Sequence, residues 1–150
     1  MLQIEKMDAS IGSTQILRQV SMEVLEGAMC ALVGRNGAGK TTLVRSIMGH
    51  VSATGKIDFD HFDLLEVPAH ARARHGLGYM PEDRRLVPEF SVEQNIMLPV
   101  WAVGIEGAGH RLEWIYELMP EIAKFRDRKA LELSGGQQKM VALGRALMAG

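Results

Sequence analysis

Gly34-Arg35-Asn36-Gly37-Ala38-Gly39-Lys40-Thr41 is the stretch on which the reading of this 150-residue chain turns. It matches the pattern G-x-x-x-x-G-K-[ST], and the chemistry explains the residue types. The glycines let successive backbone N–H groups turn inward and cradle an anion. A helix starting at Lys40 presents its positive end and its unpaired first-turn amides to the same anion. Lys40 adds a full charge for the outer phosphates of a nucleotide, and the Thr41 hydroxyl is suited to ligate Mg²⁺. Asn36, Gly37, Ala38, Gly39, Lys40, Thr41 and Thr42 are therefore the candidate nucleotide-binding residues.

The flanks are those such a loop needs. Before it, Ala28–Val33 is continuously apolar, as a strand buried on both faces would be. After it, Leu43, Val44, Ile47 and Met48 fall at helical spacing over Lys40–Met48, with Gly49 as the stop. Further strands are expected over Leu2–Met7, Val20–Leu25, Lys56–Asp60 and Leu77–Met80, and one or two helical turns over Pro68–Arg74. Beyond Glu82 the signals turn helical. Ser91-Val92-Glu93-Gln94 fits a capping box. A helix from about His110 carries Leu112, Ile115, Leu118 and Met119 on one face, and Pro120 should kink or restart it. A last helix after Ser134 carries Met140, Val141, Gly144, Leu147 and Met148 on one side.

Composition excludes several classes. Seventeen Lys and Arg against eighteen Asp and Glu give a net charge of −1, so no basic field points to nucleic acid. A charged fraction of 23% with 47% apolar residues argues for a folded chain. Cys30 is the one cysteine, so no intramolecular disulfide forms. No apolar run approaches the eighteen residues of a membrane span, and the start lacks the layout of an export signal. The five histidines show no ligand spacing. The GTPase companions D-x-x-G and N-K-x-D occur nowhere.

A second helix start also wants an anion. Leu133-Ser134-Gly135-Gly136-Gln137-Gln138 places a hydroxyl and two glycines at a helix N-terminus, which serves either as an ordinary Ser cap or as a phosphate site. With the phosphate loop upstream, Leu-Ser-Gly-Gly-Gln resembles an ATP-binding-cassette (ABC) ATPase. Tyr79-Met80-Pro81-Glu82-Asp83-Arg84-Arg85 and Trp114-Ile115-Tyr116-Glu117-Leu118-Met119-Pro120 are similar to the ATP-binding subunits of branched-chain amino-acid importers. The resemblance covers the whole chain. It implies an α/β, P-loop NTPase fold of the ABC type, with an N-terminal antiparallel β-subdomain, an incomplete parallel core sheet and a helical subdomain. The expected divisions are residues 1–82 for the β-subdomain and P-loop core, 83–133 for the helical subdomain and 134–150 for the signature loop and helix.

The resemblance also implies ATP and Mg²⁺ as ligands and a head-to-tail dimer with a second ABC ATPase subunit. Ser134, Gly135, Gly136 and Gln137 of one subunit then close on ATP held by the other. Transmembrane permease subunits are the implied membrane partners, nucleic acid is not a partner, and the place is the cytoplasmic side of the cell membrane. Thr41 and Glu82 become the Mg²⁺ candidates, Glu82 standing where most of the family has Gln. Ile11 stands where the family usually stacks an aromatic residue on adenine. The family's Asp-Glu pair after an apolar strand, and its later His, have no counterpart in these residues. The chain is therefore expected to read as the first part of a larger ATPase, truncated before that strand, and to bind ATP without turnover. The leading expectation is the hydrolysing subunit of a small-solute importer, for branched-chain or other amino acids. The alternatives are an ABC ATPase of soluble machinery and a non-hydrolysing nucleotide-binding fragment. The strand ahead of the phosphate loop and Leu77–Met80 are expected not to pair with each other.

Overall fold

Gly12 and Ser13 turn the chain back on itself, so β1 (Leu2–Ile11) and β2 (Thr14–Val24) form an antiparallel hairpin with Ile11 opposite Thr14. Gly12 supplies the positive φ, 59°, that a two-residue hairpin turn favours. β3 (Ser52–Phe59) pairs with the other edge of β1, and the short β4 (Phe62–Asp63) with β3. The order is β2-β1-β3-β4, antiparallel throughout. The expected strands over Leu2–Met7, Val20–Leu25 and Lys56–Asp60 are present as parts of longer ones, which stop one residue early, at Val24 and Phe59, in the last two cases. What hid their length is bulging. The registers slip around Met7, and Lys6 and Gln19 take φ of 46° and 49°, which breaks the period-2 alternation. Ile4, Met7, Ala9, Leu17, Ile57 and Leu64 are buried in this part of the chain.

The computed structural model describes residues 1–150 in full, and they divide into two packed units, Met1–Arg72 and Ala73–Gly150. In the first unit, α1 (Lys40–Ile47) ends as its residues indicate. Gly49 has φ 73°, and the N–H groups of Gly49 and His50 return to the carbonyls of Ser46 (2.9 Å) and Arg45 (2.8 Å). Arg72 completes this end. It is only 4% exposed, and its guanidinium donates to the carbonyls of Ser46 (3.1 Å), Ile47, Val67 (2.9 Å) and Leu64. A cation at the negative end of a helix is favourable, and here carbonyl oxygens replace the water that burial removed. Burial holds the Arg72 pKa below its ordinary value, with Asp63 acting the other way. The expected helical turns over Pro68–Arg74 appear as a 3₁₀ segment, Ala69–His75.

Two expected strands are corrected. Ala28–Val33 forms no strand: it is irregular and open to solvent, with Met29 99% and Val33 87% exposed. Leu77–Met80 is likewise irregular. Apolar content alone does not make a strand. Extended backbone needs a ladder on at least one edge, and neither segment enters one. The parallel core is therefore represented by its phosphate loop and α1 rather than by paired strands. Gly78 in the second segment is still closely packed: a Cβ there would collide with the Ala146 carbonyl oxygen.

The second unit is helical: α2 (Val92–Val103), α3 (Ala108–Leu118), the single turn α4 (Pro120–Ala123) and α5 (Gly135–Ala149). Ser91 caps α2 with the reciprocal box expected: Gln94 N–H reaches Ser91 Oγ at 3.1 Å, and Ser91 N–H reaches Gln94 Oε1 at 2.8 Å. Pro120 restarts the chain as the first residue of α4. Val92, Ile96, Ile115, Ile122, Leu133, Val141 and Met148 make one buried core. Gly144 lets α5 approach: a Cβ there would lie 3.3 Å from Ile96 Cδ1 and 3.4 Å from Ile115 Cγ2. Leu118, expected on the buried face of α3, is exposed, while Leu112 and Met119 pack against the core. The Tyr116 phenol donates to Glu93 at 3.1 Å, tying α3 to α2; burial and that carboxylate push its pKa well above the ordinary phenol value. Arg111 donates to the carbonyls of Met148 (3.2 Å) and Gly150 (2.6 Å), so the last turn of α5 also ends on a cation.

Candidate nucleotide-binding site

In the first unit the phosphate loop takes the shape its glycines allow. Gly37 and Gly39 have φ of 83° and 88°. Ala38 N–H closes a turn onto the Arg35 carbonyl at 3.1 Å, with Asn36 and Gly37 at its centre. A Cβ on Gly37 would meet nothing, so that glycine is needed for its backbone angle alone. At Gly39 both reasons apply, since a Cβ would lie 2.5 Å from Leu17 Cδ2. Gly39 is the N-cap of α1 and offers no side chain to the helix start. The first-turn amides of Lys40, Thr41 and Thr42 are accordingly left to an external acceptor. The Lys40 ammonium donates to the carbonyls of Gly34 (2.7 Å) and Arg35 (2.9 Å), which holds it against the loop it would serve. Thr41 is exposed and Thr42 is buried. No acidic residue stands in the first turn of α1, so nothing there competes with an anion.

Ile11, the expected adenine contact, ends β1 at the hairpin tip and is 53% exposed. Ile16 of β2 is the apolar residue that sequence reading missed: its Cγ2 lies 3.8 Å from where a Gly39 Cβ would sit. Only the hairpin register brings it beside the loop. An apolar residue next to a buried Leu on a half-exposed strand carries no such signal by itself.

In the second unit, Ser134 caps α5 with a capping box. Its Oγ accepts from Gln137 N–H (3.3 Å), and Gln137 Oε1 accepts from Ser134 N–H (3.0 Å). Ser134, Gly135 and Gly136 are exposed, and the first turn has no acidic residue. The first turns of α2 and α4, by contrast, carry Glu93 and Glu121. The Ser134 hydroxyl thus serves as a cap and keeps its own proton to donate, so the two readings of this helix start are compatible. Glu82 is exposed in the turn after Pro81. Thr41 and Glu82 belong to different units, as do the phosphate loop and the signature loop. No cluster of three metal-ligating side chains exists in the chain. The donor set suits Mg²⁺ brought in with phosphate oxygens, which needs only one or two protein oxygens, rather than an ion held by protein alone.

What holds the second unit's loops is not legible in the sequence. Asn95 is fully buried; its Oδ1 accepts from Val87 N–H at 2.8 Å, and its Nδ2 donates to the carbonyls of Val87 (3.0 Å), Phe90 (3.2 Å) and Ser91 (3.0 Å). Asn95 follows Glu93 and Gln94 in the first turn of α2, so nothing in the sequence marks it as the buried one of the three.

Comparison with known proteins identifies the arrangement. The family model described as ABC transporter matches residues 17–150. The high-affinity branched-chain amino-acid transport ATP-binding protein BraG of Pseudomonas aeruginosa is 33% identical over 149 residues, covering 99% of this chain and 64% of BraG. The lipopolysaccharide export ATP-binding protein LptB of Escherichia coli K12 is 37% identical over 138 residues, covering 90% of this chain and 57% of LptB. The crystal structure of a nucleotide-free ATP-binding cassette from an ABC transporter superposes with a TM-score of 0.79 at 28% identity, covering 99% of this chain and 65% of that one. The chain therefore spans less than two thirds of the length of each of these relatives.

Proposed function

This chain belongs to the ABC transporter family, and from that premise we propose that it is the nucleotide-binding part of an ATPase subunit that energises solute transport through separate membrane subunits. The phosphate loop carries the reading, with Gly37 and Gly39 at positive φ and the Lys40 ammonium seated on the loop. Asn36–Thr42 take the phosphates, Thr41 and Glu82 take Mg²⁺, and Ile11 with Ile16 offers apolar contact to the base. Mg²⁺ supplies charge compensation for the outer phosphates when bound. Ser134, Gly135, Gly136 and Gln137 face ATP on a second ATPase subunit in a head-to-tail dimer. By function the chain divides as residues 1–82, 83–133 and 134–150, a division drawn by motif rather than by packing. The cytoplasmic side of a membrane is the site of action. No helix of the chain is long and apolar enough to cross a membrane.

Import of amino acids is the favoured direction because BraG matches over 99% of the chain. The likeness to LptB carries the second reading, a cassette of an export system. In either case Lys40→Ala should weaken Mg-ATP binding. A hydrogen bond to a charged group is worth about 1.5–3 kcal/mol, which corresponds to roughly ten- to a hundredfold in affinity. Titration calorimetry checks this; equal affinity in variant and parent removes the assignment.

Turnover is a separate matter. No apolar strand runs into an Asp-Glu pair in these 150 residues. Phosphoryl transfer depends on positioned carboxylates and metal, so the chain on its own binds ATP without hydrolysing it. Phosphate release from the isolated chain should match that of Lys40→Ala. Steady release that Lys40→Ala abolishes would place the catalytic carboxylate within the chain.

A further inference from the structure

Arg84 and Arg85 adopt φ of 60° and 48° in succession, a left-handed conformation that is strained for a residue with a side chain. Such strain persists only where the surroundings over-determine it. Here they do. The Arg145 guanidinium, on α5, donates to the carbonyls of both Arg84 and Arg85, the latter at 2.6 Å. The Arg84 side chain reaches back to α5, its Nη1 donating to the Gly135 carbonyl (3.2 Å) and to Gln138 Oε1 (3.1 Å). Gln138 spends its amide on the carbonyls of Ala130 (3.2 Å) and Leu133 (3.3 Å). Ser134 is thus bracketed, with the Leu133 carbonyl held through Gln138 and the Gly135 carbonyl through Arg84. Glycine is the residue a φ of 60° favours, so the chain accepts strain at position 84 in order to have a guanidinium there.

We propose that Arg84, backed by Arg145 and Gln138, is a positioning residue that holds the signature loop 133–137 and the Glu82–Arg85 turn as one body. The consequence for nucleotide-driven dimerisation rests on the function proposed above; the coupling of turn to loop does not. A single terminal nitrogen of Arg84 spans both acceptors, and the planar guanidinium fixes the directions of its two N–H bonds, whereas the freely rotating ammonium of a lysine does not.

Arg84→Gly in the full-length protein tests this, because glycine keeps the backbone angle without a Cβ penalty. Hydrogen exchange at the amides of 135–138 should quicken at least tenfold, and ATP-driven dimerisation should weaken by a similar factor. Mg-ATP affinity of the phosphate loop should stay within about twofold. Arg84→Lys should restore exchange protection only in part. Gln138→Glu, which retains the acceptor for Arg84 but loses both donors, should loosen 133–137 and leave 82–85 protected. If Arg84→Gly does not fold, Arg84→Asn, which tolerates the same φ without a guanidinium, decides the matter. Parent-like exchange at 135–138 in Arg84→Gly or Arg84→Asn overturns the inference, and parent-like exchange at 133–137 in Gln138→Glu removes Gln138 from it. A parent protein that neither binds Mg-ATP nor dimerises overturns the proposed function instead, while the nucleotide-free exchange comparison still decides the positioning role.

Discussion

Replacing Ser134 by arginine in the full-length protein is expected to abolish ATP-driven dimerisation while leaving Mg-ATP affinity within about twofold of the parent. Ser134 is exposed at the start of α5, and its neighbours Gly135 and Gly136 add no side chain to the surface. In the shared-site arrangement this surface closes on phosphates carried by the partner subunit. An arginine brings bulk into that approach, and its flexible charge cannot reproduce the short hydroxyl contact. The phosphate loop lies in the other packed unit and keeps its own amides and Lys40. Loss of the capping box costs about 0.5–2 kcal/mol of helix stability, so Ser134→Ala is the control that carries this cost without the bulk. Light scattering with and without Mg-ATP reads the outcome. An arginine variant that still dimerises contradicts the shared site.

Asn95→Asp should melt the second unit at neutral pH and spare it in acid. The parent side chain donates to three carbonyls and accepts from one N–H, all in a fully buried place. A carboxylate can keep only the contact with Val87 N–H and faces the three carbonyl oxygens as a like charge. An uncompensated buried charge costs about 3–5 kcal/mol, more than ten degrees of melting temperature for a unit of this size at roughly 4–8 °C per kcal/mol. Protonation returns one donor and removes the charge, so the folded carboxyl binds its proton more tightly than the unfolded one. The folded state then holds more protons than the unfolded state, and stability falls as pH rises from the ordinary Asp range of about 3.9 up to the raised folded value. Asn95 itself does not titrate. Thermal melts of parent and variant at acid and neutral pH should diverge as pH rises; a constant gap refutes the account.

Local chemistry was legible in the chain as written. The phosphate loop, the Ser91 and Ser134 capping boxes, the Gly49 stop and the Pro120 restart each depend on residues within a few positions of one another. Backbone angle, missing side chain and reciprocal hydrogen bond are all specified within one turn. Ala28–Val33 shows the limit: its apolar run is real, but a strand is a property of two segments, and the ladder that would make it one is not in the sheet. The length of β1 and β2 escaped for a related reason, because bulges near Met7 and Gln19 erase the alternation from which length is read.

Tertiary structure alone decided which polar side chains hold the loops in place. Arg72 on the end of α1, Asn95 under the 87–91 segment, and Arg84 with Arg145 and Gln138 around Ser134 look like ordinary surface residues in the sequence. Most of their partners are backbone carbonyls, which every residue possesses and no sequence pattern marks. Only the folded chain shows which carbonyls have lost their water and therefore need those donors.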